Sequence, residues 1–253
     1  MFFDLDADKS SHAELARLGY SKFLQSFPVL STTDKIKAAD LEAIDRVTIQ
    51  TTNDKPFSRH SHIMNATGEP RPVLLAVRPH NEKTFLSACK DCDIDIIQLD
   101  VGCRLDFNLK ASSIRLALDN GVFFEILYSP AIGNPDIRKH MISNTKILMR
   151  ATRGKNIIVS SGATVNTSGD PSSSLVRGPY DIIMMCRGLF GMTASQARDC
   201  ISRNPRQVLF HAKSRCTTFK GTLSGSSGTS LAKRKPESDI GDNMSVKKAK
   251  ADV

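Results

Sequence analysis

Short apolar runs recur along the chain, and their spacing is the strongest constraint on its fold. They begin near Phe2, Ser21, Arg46, Pro72, Asp95, Val122 and Asn156, roughly 20 to 35 residues apart, which is the length of one strand, one helix and two turns. Helical patterns fill the gaps: from Ser10 or Ser11 to Leu18, stopped by Gly19; from Asn81 to about Cys92; from Ala111 to Gly121; and from Asp136 to Gly154. Runs such as "VLLAV" and "VFFEIL" are apolar almost without alternation, so these strands are covered on both faces, as in a parallel sheet. Seven strands are legible in this way and an eighth is not.

A closed barrel is expected over an open doubly wound sheet, because no Gly-rich phosphate loop follows the first strand and no dinucleotide fingerprint occurs. Beyond the seventh strand, Thr167–Ser174 reads as a polar loop. The segment "RGPYDIIMMCRGLFGM" reads as a helix with Pro179 in its first turn and Met184, Met185 and Leu189 facing inward. Thr193 followed by Gln196 is a capping-box pattern for the next helix. Asn204-Pro205 opens a last short helix through His211. The expectation is one α/β barrel domain over residues 1–213 and a disordered tail over 214–253, the latter rich in Gly, Ser and Lys and poor in large apolar residues.

Charge narrows the function. Lys+Arg 35 against Asp+Glu 26 gives +9, which points to a polyanionic partner, nucleic acid above all. The tail carries eight of these cations and four of the acids, so the folded part is basic on its own account. Aromatic residues make up 6% with no Trp, which favours phosphate contact over base stacking. Cations at strand ends, loops and helix starts are the candidates: Arg78, Arg104, Lys110, Lys155, Arg177, Arg206 and Lys213. Arg177 stands just before a helix N-terminus, where the helix dipole attracts the same anion. In the tail, Lys233, Arg234 and Lys235, with Lys247, Lys248 and Lys250, form basic clusters suited to nuclear import or RNA contact.

Six Cys with no apolar leader after Met1 fit a reducing compartment rather than a disulfide framework, and no apolar run is long enough to span a bilayer. A metal site would draw on Asp4, Asp6, His80, Asp100 and Glu125 at strand ends, but one His is few for a metallohydrolase barrel. The His60/His62 pair and the Cys89/Cys92 pair are read as surface and as ordinary thiols. No G-x-S-x-G nucleophile motif occurs. Glu125, a lone carboxylate inside "FFEIL", is expected to be half of a buried ion pair rather than a catalytic acid.

Four segments carry a resemblance. "FFDLD", "GVFFEILYSPAI", "RGKNIIVSSGA" and "RGPYDI" with "LFGM" resemble, in the same order, the thirty-kilodalton protein subunit of eukaryotic and archaeal ribonuclease P, shared with ribonuclease MRP. The resemblance spans about Phe2 to His211. It implies a TIM-like barrel related to the PHP phosphoesterases, in a subunit that does not itself cut RNA. The chain departs from the PHP pattern in having Asp4-Leu5-Asp6 where that family has His-x-His. Further implications are the catalytic RNA subunit, a small ferredoxin-like protein subunit, other ribonuclease P/MRP proteins and precursor tRNA as partners, and nuclear and nucleolar localisation. No cofactor is expected on this chain, and magnesium is expected on the RNA. The alternative reading is a metal-dependent phosphoesterase of PHP type.

Overall fold

The computed structural model describes residues 1–7, 11–25, 30–31, 45–51, 74–91, 93–162, 175–219 and 222–223. The expected strands form where β-branched and aromatic residues cluster: β1 (Phe3–Ala7), β2 (Lys22–Gln25), β4 (Arg46–Gln50), β5 (Leu74–Arg78), β6 (Ile96–Gln98), β7 (Phe123–Leu127) and β8 (Ile157–Ser160). The strand that was not legible is β3, the two residues Leu30–Ser31, which pair in parallel with Ile49 and Gln50. Two residues show no periodicity, so only their pairing marks them as a strand.

Strands β3 to β8 form one parallel sheet in sequence order, and β1 pairs in parallel with β2. The ends meet. β1 lies against β8, and the Gly162 N–H just past β8 donates to the Asp6 carbonyl at 3.0 Å. Eight parallel strands in sequential order, with first against last, make a TIM-like barrel.

The helices are α1 (His12–Arg17), α2 (Glu82–Lys90), α3 (Ala111–Asp119), α4 (Ser129–Gly133), α5 (Pro135–Thr152), α6 (Pro179–Phe190), α7 (Ala194–Asp199) and α8 (Arg203–Thr217). Their starts are set by local chemistry. Asn81 and Thr84 cap α2 reciprocally, Thr193 and Gln196 do the same for α7, and Asn134 accepts from the Asp136 and Ile137 N–H groups at the head of α5.

Two expectations are corrected here. On α6 the inward row is Ile182, Cys186 and Phe190, while Met184 is 64% exposed and Leu189 is also exposed; Met185 packs only partly against the core. The helix is apolar on more than one face, and a four-residue spacing, not the methionines, selects the face that meets the sheet. The last helix does not stop at His211 but continues to Thr217, past the expected border at residue 213.

Two cores result. The outer one lies between the sheet and the helices, with Val77, Ile97, Phe124 and Val159 against Phe85, Ile114, Leu148 and Ile182. The inner one fills the barrel with Phe3, Leu5, Leu74, Ala76, Ile96, Phe123 and Ile158, and Val208 and Ala212 of α8 close it at the N-terminal mouth. Asp95, just before β6, fastens that plug: it accepts from Arg215 Nη2 at 2.8 Å and the Leu75 N–H at 2.9 Å, and bonds His211 Nδ1 at 2.7 Å.

Candidate functional site

Toward the C-terminal half of the barrel the inward row turns from apolar to polar, at the level where barrel enzymes carry their chemistry. Arg46 and Thr48 come from β4, Arg78 from β5, Gln98 from β6, Glu125 from β7 and Ser160 from β8, and strand register sets Gln98 beside Glu125. Glu125 and Arg46 are both fully buried. Their pairing is bidentate: Arg46 Nη1 donates to Oε1 at 2.7 Å and Nη2 to Oε2 at 2.6 Å.

Every other polar direction of the pair is met. Ser160 Oγ donates to Glu125 Oε1 at 2.7 Å and Gln98 Nε2 to Oε2 at 3.0 Å. Arg46 also donates to the Leu5 carbonyl at 3.0 Å and to Thr48 Oγ1 at 3.2 Å. Gln98 extends the network to the mouth, donating to Asp6 Oδ2 at 2.9 Å and accepting from Arg78 Nε at 2.9 Å. Burial alone would raise the Glu125 carboxyl, but the Arg46 charge and the bonds from Arg46, Ser160 and Gln98 outweigh it and hold Glu125 below its ordinary value. A carboxylate so engaged has neither a proton to give nor a lone pair to offer a metal. The expected buried ion pair is present, and its cation, Arg46, was missed by sequence reasoning.

Asp4 behaves differently. It is buried and accepts from the backbone N–H groups of Ser161 (3.2 Å) and Asp6 (3.1 Å). Among the described residues no ion pair answers it in the way Arg46 answers Glu125. Burial raises its carboxyl to about 7, against the opposing effect of hydrogen bonds from the Ser161 side chain and from these N–H groups. Ser160 bonds Glu125, Ser161 bonds Asp4 through its N–H and the Asp6 carbonyl through its hydroxyl at 3.1 Å, and Gly162 bonds that same carbonyl, so the three together seam β8 to β1. Gly162 is required here: φ is +59°, and a Cβ would meet Leu127 Cδ1 at 2.8 Å.

The remaining members of the proposed metal set do not join Asp4, Asp6 and Glu125: His80 and Asp100 are exposed at strand ends. No group of three or more His, Cys, Asp or Glu side chains is gathered as a metal cage among the described residues. His60, His62 and Cys92 lie outside them, and Cys89 is a buried thiol whose burial pushes it up to about 12.

The basic candidates divide between the two ends of the barrel. Arg78, Arg104, Lys110 and Arg177 lie at the C-terminal end of the strands. Arg104 and Arg177 are exposed, Arg78 is half-buried on Gln98, and Lys110 pairs with Glu82 at 2.7 Å. Two tyrosines fix the backbone of Arg177: its N–H donates to the Tyr128 hydroxyl at 3.0 Å, and its carbonyl accepts from the Tyr20 hydroxyl at 3.2 Å. Lys155, Arg206 and Lys213 are exposed at the N-terminal end, around α8. The tail clusters at residues 233–235 and 247–250 lie outside the described residues.

Residues 1–217 match the family described as RNase P subunit p30. The chain belongs to that family. Among its relatives, mouse "Ribonuclease P protein subunit p30" is 32% identical over 185 residues, 72% of this chain and 65% of the mouse protein. "Probable ribonuclease P protein subunit 3" of Schizosaccharomyces pombe is 32% identical over 152 residues, 60% of this chain and 61% of that one. "Protein GAMETOPHYTE DEFECTIVE 1" of Arabidopsis thaliana is 39% identical over 136 residues, 54% of this chain and 22% of that protein. The p30-family chain therefore spans less than two thirds of the length of these relatives. Its fold is similar to that of a chain in the cryo-EM structure of archaeal ribonuclease P with mature tRNA, with a TM-score of 0.61 at 13% identity, covering 88% of this chain and 96% of that one. The four motif segments that carry the resemblance all fall inside the residues that match the p30 family.

Proposed function

We propose that this p30-family barrel is a non-catalytic, RNA-binding scaffold subunit of nuclear ribonuclease P and ribonuclease MRP, supporting 5′-leader removal from precursor tRNA and processing of ribosomal RNA precursors. The observation that carries this reading is the Arg46–Glu125 pair. It fills the polar level of the barrel with a closed hydrogen-bond network, where a barrel phosphoesterase would keep carboxylates open for a metal. Chemistry then falls to the RNA subunit, with its magnesium, and the barrel contributes surface.

That surface is basic, which suits the catalytic RNA and precursor tRNA, and membership of the family implies protein partners as well, including a small ferredoxin-like subunit. Tyr180 and Met184, exposed one turn apart on α6, offer a protein neighbour an apolar contact. The tail clusters suit import into the nucleus and nucleolus. Replacing Lys233, Arg234, Lys235, Lys247, Lys248 and Lys250 with Gln in a fluorescent fusion should leave it cytoplasmic, whereas undiminished nuclear signal would refute the import role.

The decisive experiment is to purify the tagged protein from nuclear extract, sequence the RNA that accompanies it, and assay precursor-tRNA cleavage before and after micrococcal nuclease. A structured RNA, with cleavage abolished by nuclease, is the expected result. Cleavage that survives RNA removal and is lost both with chelator and in a Glu125→Gln variant that remains folded would establish the phosphoesterase reading instead.

A further inference from the structure

The outer face of α8 is turned to solvent. Its inner face is occupied: Asn204 Nδ2 donates to the Ile157 carbonyl at 2.7 Å, Val208 and Ala212 close the inner core, and Arg215 holds Asp95. On the opposite face Arg203, Arg206, Phe210 and Lys213 are all exposed. Steps of three and four residues keep them on one side of the helix, with Arg206 one turn before Phe210 and Lys213 just under one turn after. Phe210 is 71% exposed, an apolar ring standing in water between cations.

The sign of the charge is uniform well beyond this helix. From Cys200 to Pro236 there is no Asp or Glu, against eight Lys or Arg, so both the plug and the chain leaving it are one-signed. Asn204 ties the start of α8 to β8, and Arg153 and Lys155, just before that strand, are also exposed.

A cationic face alone suits any polyanion, but an exposed ring within it selects one that offers flat apolar surfaces between its charges. Single-stranded RNA does this; a duplex hides its base faces in the stack. We propose that the outer face of α8 is a single-strand RNA contact, in which Phe210 stacks on an unpaired base while Arg203, Arg206 and Lys213 hold neighbouring phosphates. The inference rests on the RNA-binding reading above and deepens it by placing the single-strand contact at the N-terminal end of the barrel.

The test is fluorescence anisotropy on the full-length protein with a labelled single-stranded RNA of about 20 nucleotides and a duplex of equal length, across about 50 to 200 mM salt. Phe210→Ala should weaken the single strand by about 5- to 100-fold with its salt slope unchanged, and should affect the duplex much less. Phe210→Tyr should retain affinity, and Arg206→Gln should lower the salt slope by about one. An unchanged melting temperature in each variant verifies that the fold is intact. Wild-type affinity in Phe210→Ala at every salt overturns the proposal. Losses in Arg104→Gln and Arg177→Gln, with none in the α8 variants, would keep RNA binding but move it to the other end, so that only the α8 proposal fails. No RNA affinity in the wild type brings down both readings. Intact RNA affinity with loss of a protein subunit from the purified particle would make the face a protein dock instead.

Discussion

Glu125 and Arg46 have no water to fall back on, so the value of each depends on the other. Removing one partner leaves a buried uncompensated charge, which costs about 3 to 5 kcal/mol, whereas replacing both with apolar residues of similar volume can be neutral. Glu125→Gln and Arg46→Met should each lose about that much in urea unfolding, and Arg46→Met combined with Glu125→Leu should recover most of it. Additive losses in the double variant would show that the pair is not coupled. Asp4 makes a prediction of opposite kind. Its folded carboxyl sits near 7, above the ordinary 3.8, so the folded state holds a proton that the unfolded chain releases. Its contribution is full below about pH 4 and is lost as pH rises through about 7. Asp4→Asn should therefore gain stability over the wild type between pH 5 and pH 8, by a few kcal/mol at most. A wild-type-to-variant difference that does not vary with pH would refute this account of Asp4.

Among the elements, α8 does most to complete the barrel, because it covers the N-terminal mouth and is the only helix whose side chains enter the inner core among the described residues. Its anchorage is concentrated on Asp95. Ending the chain at residue 213 removes Arg215 and leaves Asp95 without its guanidinium partner, so a chain ended there should melt several degrees below one ended at residue 219, by about 2 to 4 °C per kcal/mol lost. Equal melting temperatures would mean that His211 and the Leu75 N–H suffice. The capping residues act more locally. Asn81→Ala and Thr193→Ala should each cost about 1 kcal/mol, measurable by chemical unfolding, while their exposed neighbours should cost little.

For the whole molecule the relevant quantity is charge. On the proposed RNA-binding reading, a net +9 implies contact with phosphates that weakens steeply with salt. Arg104→Gln, Lys155→Gln, Arg177→Gln and Lys213→Gln should each lower the slope of log affinity against log salt by about one unit if each holds one phosphate. Slopes unchanged in all four would remove these residues from the interface. The two ends of the barrel are then separable: Arg104 and Arg177 report on one, Lys155 and Lys213 on the other.

Local chemistry in the chain determined the seven longer strands, the capped helix starts and the burial of Glu125, because apolar periodicity, hydroxyl and amide caps and a lone carboxylate in an apolar strand are properties of a few consecutive residues. It could not select the partner of Glu125. Lys22, Arg46 and Arg78 are all strand-borne cations, and only the curvature of the closed barrel brings the first residue of β4 onto the carboxylate of Glu125, the third residue of β7. The same holds for β3, whose two residues are a strand only by pairing, and for α6, where sheet contact chose Ile182, Cys186 and Phe190 over the methionines. The exposed ring of Phe210 is the clearest instance. In sequence it reads as one more apolar residue of a closing helix, and it faces water because Val208 and Ala212 on the opposite side had already met the barrel floor. Contacts between residues far apart in the chain are decided by closure of the whole sheet, and no local pattern encodes them.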